Sequence, residues 1–228
     1  MNRARTIVIS ALAASAAFAT LATADTVDVY AASLGAGMNV STVLNGNARN
    51  GFAGQINLSL SNSVGNNIDG NWIAYCSELD QHIFVPGNAG TYTQTSVASL
   101  PDPGPAMGAA RADAIARMYA AAGGAQFGTD NEFCAAFQVA IWEVANDFGG
   151  SVGLGDLGGG AFTASGLTAN MQSYLSALFA AASGNGPQAL LLGLGSGTNQ
   201  DQIIQLPSPG ALALMATAGL VNLRRRRR

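Results

Sequence analysis

The residues best placed to do chemistry in this chain are two thiols, one imidazole and a glutamine set in an apolar segment. Cys76 ends the stretch Asn71-Trp72-Ile73-Ala74-Tyr75-Cys76, and Cys134 and Gln138 lie in the segment 131–148, NEFCAAFQVAIWEVANDF. There Phe133, Phe137, Ala140, Ile141, Val144 and Phe148 form an apolar band at helical spacing, and Cys134, Gln138 and Trp142, four apart, stack along one face. A helix this apolar is buried, and an unpaired buried amide costs about 1–3 kcal/mol. Gln138 therefore either satisfies backbone groups or takes part in chemistry. The single histidine, His82, excludes a multi-histidine metal centre and leaves little room for a base-driven nucleophilic site. Two cysteines cannot build a four-cysteine zinc site. His82, behind Asp80 and Gln81, reads as a strand-end surface residue. Glu78 and Asp80, two apart, suit acid–base work or calcium, and read more simply as solvated charges. Glu143 and Asp147, at i and i+4, read as the wet face of the helix, and Trp72, Tyr75 and Tyr92 as core or edge aromatics. No hydrolase motif is present, and neither enzymatic turnover, a metal nor a cofactor is expected.

These residues need elements to hold them. Residues 26–30 (TVDVY), 38–44 and 54–60 alternate with period two and are separated by turn signals such as Asn45-Gly46-Asn47. Residues 71–76 and 82–85 are further strand candidates, and Pro101-Asp102-Pro103-Gly104-Pro105 is a break. The period then becomes helical over 106–122, closed by Gly123-Gly124, and again over 131–148, where Asp130 or Asn131 is the cap. A third helix is expected over 169–182 behind Thr168, and residues 188–194 and 202–206 read as closing strands. This order predicts an α+β fold: a β-sandwich or barrel-like sheet with an inserted helical subdomain of about three helices. The glycine-rich stretch 149–160 has no preceding strand and no basic residue nearby, so it reads as a loop and not as a phosphate cradle.

Charge and the two ends set the context. All ten positive charges are arginine; between residues 25 and 205, three arginines face thirteen acids, a net of −10 hidden beneath the formal −3. Such a body repels phosphate backbones, so nucleic acid is not an expected partner. Arg3 and Arg5, an apolar run over 6–21 and the small-x-small site Ala22-Thr23-Ala24 make residues 1–24 a secretory signal peptide. That leaves residues 25–205 as one domain. The tail 206–228 opens with Leu206, Pro207, Ser208 and Pro209 and continues with a largely apolar stretch of 14 residues, 210–223. It ends in Arg224, Arg225, Arg226, Arg227 and Arg228. As a helix that apolar stretch spans about 21 Å, short of a hydrocarbon core of about 30 Å, and the arginines would hold its end on the cytoplasmic side. This order resembles the PEP-CTERM sorting signal, in a variant with Ser208 where the name-giving motif has Glu. The resemblance implies an exosortase-type sorting enzyme as partner, membrane contact through both terminal signals, and a final place on the cell surface or in the extracellular matrix. A plain C-terminal membrane anchor is the alternative.

The pairing of Tyr75-Cys76 with a later helix reading Gln138-Val139-Ala140-Ile141-Trp142 resembles the thioester domain of bacterial surface adhesins. The resemblance implies that Cys76 and Gln138 condense to an internal thioester, open to attack by an amine or hydroxyl of a surface or matrix partner. Tyr75, Phe137, Ala140, Ile141 and Trp142 would then pack around the bond. Phe137 stands where the adhesin pattern more often has Thr. Cys134, one turn before Gln138, offers Cys76 a second partner. An exported chain with two cysteines defaults to one disulfide, and a Cys76–Cys134 bridge would close a loop of about 58 residues. Three states stay open on the sequence: a thioester and covalent adhesion, a disulfide in a non-reactive exopolysaccharide-associated surface protein, or two free thiols.

Overall fold

A computed structural model describes residues 24–150 and 153–208. The expected signal peptide, residues 1–24, lies outside the described residues save for residue 24, as does the tail from 209 onward with its apolar stretch and five arginines. Among the described residues, no helix is long and apolar enough to cross a membrane.

The fold is α+β. Its strands are β1 (Thr26–Leu44), β2 (Asn47–Ala48), β3 (Gly51–Ser61), β4 (Gly70–Cys76), β5 (Gly90–Thr95), β6 (Phe162–Ser165), β7 (Leu191–Gly195) and β8 (Gln202–Gln205). Its helices are α1 (Ala109–Ala122), α2 (Asn131–Asp147) and α3 (Ala169–Ser183). The strands form one antiparallel sheet in the order β2-β1-β3-β4-β8-β7-β5, and β5 pairs again with β1, so the sheet closes into a ring. β6 pairs with the far end of β1.

The expected strands 26–30 and 38–44 are one element. The intervening small residues stay extended because β3 runs beside them, with register shifts after Val29 and after Leu34 absorbing the local mismatch. Gly37 and Gly54 face each other in that register, and a Cβ on either would strike the opposite main chain. The glycines permit the close approach on which α2 rests, and Gly37 N donates to Asn131 Oδ1 at the first residue of α2 (3.1 Å). Asn45 and Gly46 take positive φ in a tight turn joining β1 to β2. β5 and β6 were not expected as strands, and residues 82–85 are loop rather than strand.

The helices follow their sequence signals closely. Asp130 caps α2, accepting from the amides of Glu132 (3.0 Å) and Phe133 (3.1 Å), and Thr168 Oγ1 accepts from Met171 N at the start of α3 (3.2 Å). Gly123 closes α1 in the left-handed region at φ 60°. α2 is the central piece. It packs against β1 and β3 on one side and against α3 and α1 on the other, which is why its apolar residues continue nearly all the way round.

Candidate functional site

β4 and α2 bring Cys76 and Gln138 together. β3 supplies partners to β4 only as far as Ala74; beyond it the Gln138 carboxamide takes over. Its Oε1 accepts from Cys76 N at 2.8 Å and its Nε2 donates to Cys76 O at 2.8 Å. Gln138 is fully buried, so this reciprocal pair satisfies an amide that would otherwise be costly. It also holds the carboxamide against the main chain of the residue that carries the thiol.

The thiol has its own neighbours. Cys76 Sγ donates to Gln200 Oε1 at 3.0 Å, and Gln202 Nε2 lies 3.5 Å from it. Gln202 is brought there by register, since β8 pairs Gln202 with Cys76. Gln200 is fixed in turn by donating from Nε2 to Glu78 O (2.7 Å). Burial pushes the Cys76 thiol up to about 12, against the pull of the Gln202 hydrogen bond, with the nearby Glu78 carboxylate adding a smaller upward push. At neutral pH it is therefore a protonated thiol. A cavity of about 430 Å³ leads to it, lined among others by Trp142, Ile56, His82, Arg49 and Gln200. At its rim Arg49 pairs with Asp80 at 3.1 Å.

The aromatic neighbours divide into two groups. Phe137 meets Tyr75 edge-on (4.9 Å) and Tyr119 edge-on (4.8 Å), and the Tyr75 hydroxyl donates to Gln126 O (2.7 Å). Trp142 lines the cavity and donates from Nε1 to Glu78 O (3.1 Å). Ala140 and Ile141 are fully buried in the core. Cys134 lies elsewhere along the helix, with Gln55 Nε2 at 3.3 Å and Gly128 O at 3.8 Å from its sulfur. Both cysteines are free thiols, each with separate polar partners.

Several acids differ from expectation. Glu143 and Asp147 are not the wet face of α2, for both are buried. The glycine-rich loop folds back over them and needs acceptors: Gly155 N donates to Glu143 Oε1 (2.9 Å), and Ala161 N and Phe162 N donate to Asp147 (2.9 and 2.8 Å). Glu143 Oε2 has no hydrogen-bond partner. Glu78 is buried rather than solvated, whereas Asp80 stays exposed, as does His82. Among the described residues no group of acids, cysteines or histidines has the arrangement of a metal site.

The sequence did not single out Gln200, Gln202, Gln55 or Asp201. Gln202 was read only as the start of a closing strand, and no local pattern marks which amides turn inward. A cavity of about 780 Å³ between the glycine-rich loop and α3 includes neither Cys76 nor Gln138. The chain matches no protein-family model, no curated protein and no solved structure.

Three buried carboxyls make the fold sensitive to pH. Desolvation raises Glu78 and Glu143 to about 7 and Asp201 to about 6, from ordinary values of 4.5 and 3.8. Each is favoured as the neutral acid in the folded state. The stability each provides is complete below its ordinary value and is lost as pH rises through its folded value. The exposed carboxyls held low, such as Asp130 and Glu132, act in the opposite direction only at more acid pH. Thermal melts across the pH range are thus expected to show greater stability at pH 5 than at pH 8. Glu143→Gln, which keeps an acceptor for Gly155 without a charge, flattens part of that slope. Stability that rises from pH 5 to pH 8 would contradict the assignment.

Proposed function

We propose that this is an exported bacterial surface or matrix protein that attaches covalently through an internal thioester between Cys76 and Gln138. The observation that carries the reading is the reciprocal 2.8 Å pair between the Gln138 carboxamide and the Cys76 main chain, at the end of a cavity open to solvent. Bond formation is an exchange of acyl partners. The Cys76 sulfur adds to the Gln138 amide carbon, the thiol proton passes to the amide nitrogen, and ammonia leaves. An incoming primary amine later takes the acyl group, forming an amide on Gln138 and returning the proton to Cys76. No oxidant or cofactor is required. A buried, protonated thiol is a weak nucleophile, which makes the first step slow. Burial of the Cys76 side chain limits the access of water to the product bond. A secretory signal peptide and a PEP-CTERM-type tail read by an exosortase-type enzyme would deliver such a domain to the cell surface, where a nucleophile is met.

The test is an intact mass of the mature protein, taken without reductant, before and after methylamine. The expected result is a deficit of one ammonia, replaced by a methylamine adduct that maps to Gln138. An unaltered mass, or a deficit of two hydrogens reversed by reductant, would overturn the reading. The second of those results would identify a Cys76–Cys134 disulfide and a non-reactive exopolysaccharide-associated protein.

A further inference from the structure

The outer face of β1, β3 and β4 carries a separate concavity of about 610 Å³ that includes neither Cys76 nor Gln138. Two cross-strand rows form its base, Ser33–Asn57–Ile73 and Ala31–Ser59–Asn71. Tyr30 stands at the register shift after Val29 and is 54% exposed. Residues 86–88 form the opposite wall, pinned where Gly87 and Ala32 exchange main-chain hydrogen bonds (2.7 and 3.1 Å). None of the residues lining this groove carries a charge, although the body around it is strongly acidic.

Its polar groups are only half used. Asn57 donates from Nδ2 to Leu34 O (3.3 Å), and its Oδ1 is unspent. Asn71 Oδ1 accepts from Ser59 Oγ (2.9 Å) and Asn88 Oδ1 from Gly90 N (2.7 Å), so both Nδ2 groups remain as donors. The hydroxyls of Ser33 and Tyr30 have no protein partner among the described residues. The groove therefore presents donors and acceptors together beside one exposed aromatic ring. An anion needs donors alone and a cation acceptors alone. An uncharged polyol offers hydroxyls that both give and take hydrogen bonds, and an apolar C–H face for the ring. The negative body repels acidic polymers from the same surface. We infer that this sheet face is a binding site for a neutral polysaccharide segment.

Native electrophoresis of the mature protein through gels containing dextran, a β-1,3-glucan, a β-1,4-glucan or a mannan tests this, with alginate as the acidic comparison. At least one neutral polymer is expected to retard the protein, and alginate is not. Tyr30→Ala and Asn71→Ala are each expected to weaken retention about fivefold, the factor of one net hydrogen bond or ring contact. Both side chains lie at the surface, so their thermal melts should match the parent and their methylamine incorporation should be unchanged. Absence of retardation in every neutral gel, retardation by alginate alone, or parent-like retention in both variants would overturn the proposal. Concentration-dependent self-association abolished by the same two variants, without glycan binding, would assign the face to a second copy of the chain instead.

Discussion

Gln138→Ala is expected to eliminate methylamine incorporation and to lower unfolding stability by about 2–5 kcal/mol. The stability loss follows from the clamp alone. Removing the carboxamide leaves the main-chain N–H and C=O of Cys76 without partners in a buried setting, at about 1–3 kcal/mol each, and opens a void in a fully buried stretch of α2. Gln138→Glu separates the clamp from the bond. Buried among apolar residues, the carboxyl stays protonated and retains one donor and one acceptor for Cys76, but it has no ammonia to expel. This variant is expected to fold with most of the parental stability and to show neither the mass deficit nor the adduct. Urea unfolding together with intact mass reads both effects. A Gln138→Ala protein with the parental denaturation midpoint would contradict the clamp. A Gln138→Glu protein that still captures methylamine would contradict the acyl role.

Phe137→Ala is expected to cost about 3–5 kcal/mol, the range for removing a large aromatic from a well-packed core. Its ring is fully buried and touches three others: Tyr75 and Tyr119 edge-on at 4.9 and 4.8 Å, and Phe133 stacked at 6.1 Å. Such pairs contribute beyond the area they bury, by about 0.5–1.5 kcal/mol each. Tyr75 immediately precedes Cys76, so loss of the ring also frees the strand end that Gln138 holds. Methylamine incorporation is expected to slow under conditions where the variant remains folded. Chemical denaturation measures the first effect, with an unchanged dependence on denaturant marking a simple loss of stability. A cost below about 1 kcal/mol would mean that the neighbouring rings collapse into the space.

The helices were legible because their information is local. Asp130, Thr168 and Gly123 mark ends within a few residues of the turns they close, and apolar spacing marks the rest. The buried amide of Gln138 was legible for the same reason, being a polar residue in an apolar helix. The alternation of 26–30, 38–44 and 54–60 was also plain, but it could not show that the first two are one strand. That continuity depends on a neighbour: β3 lies alongside, and the paired Gly37 and Gly54 let the two backbones close up.

By itself, the sequence determined the α+β order, the three helices, the acidic body between arginine-bearing ends, and Cys76 and Gln138 as the residues to compare. Only the tertiary structure decided how their polar groups are matched. Glu143 and Asp147 have the spacing of a solvated helix face, yet they are buried because a loop 12 to 15 residues further on brings amides that need acceptors. Gln200 and Gln202 reach the Cys76 thiol from more than 120 residues away because β8 is paired beside β4. Hydrogen-bond partners of this kind are set by which strands lie side by side, and that choice is made by burial of the whole core, to which no short stretch of sequence has access.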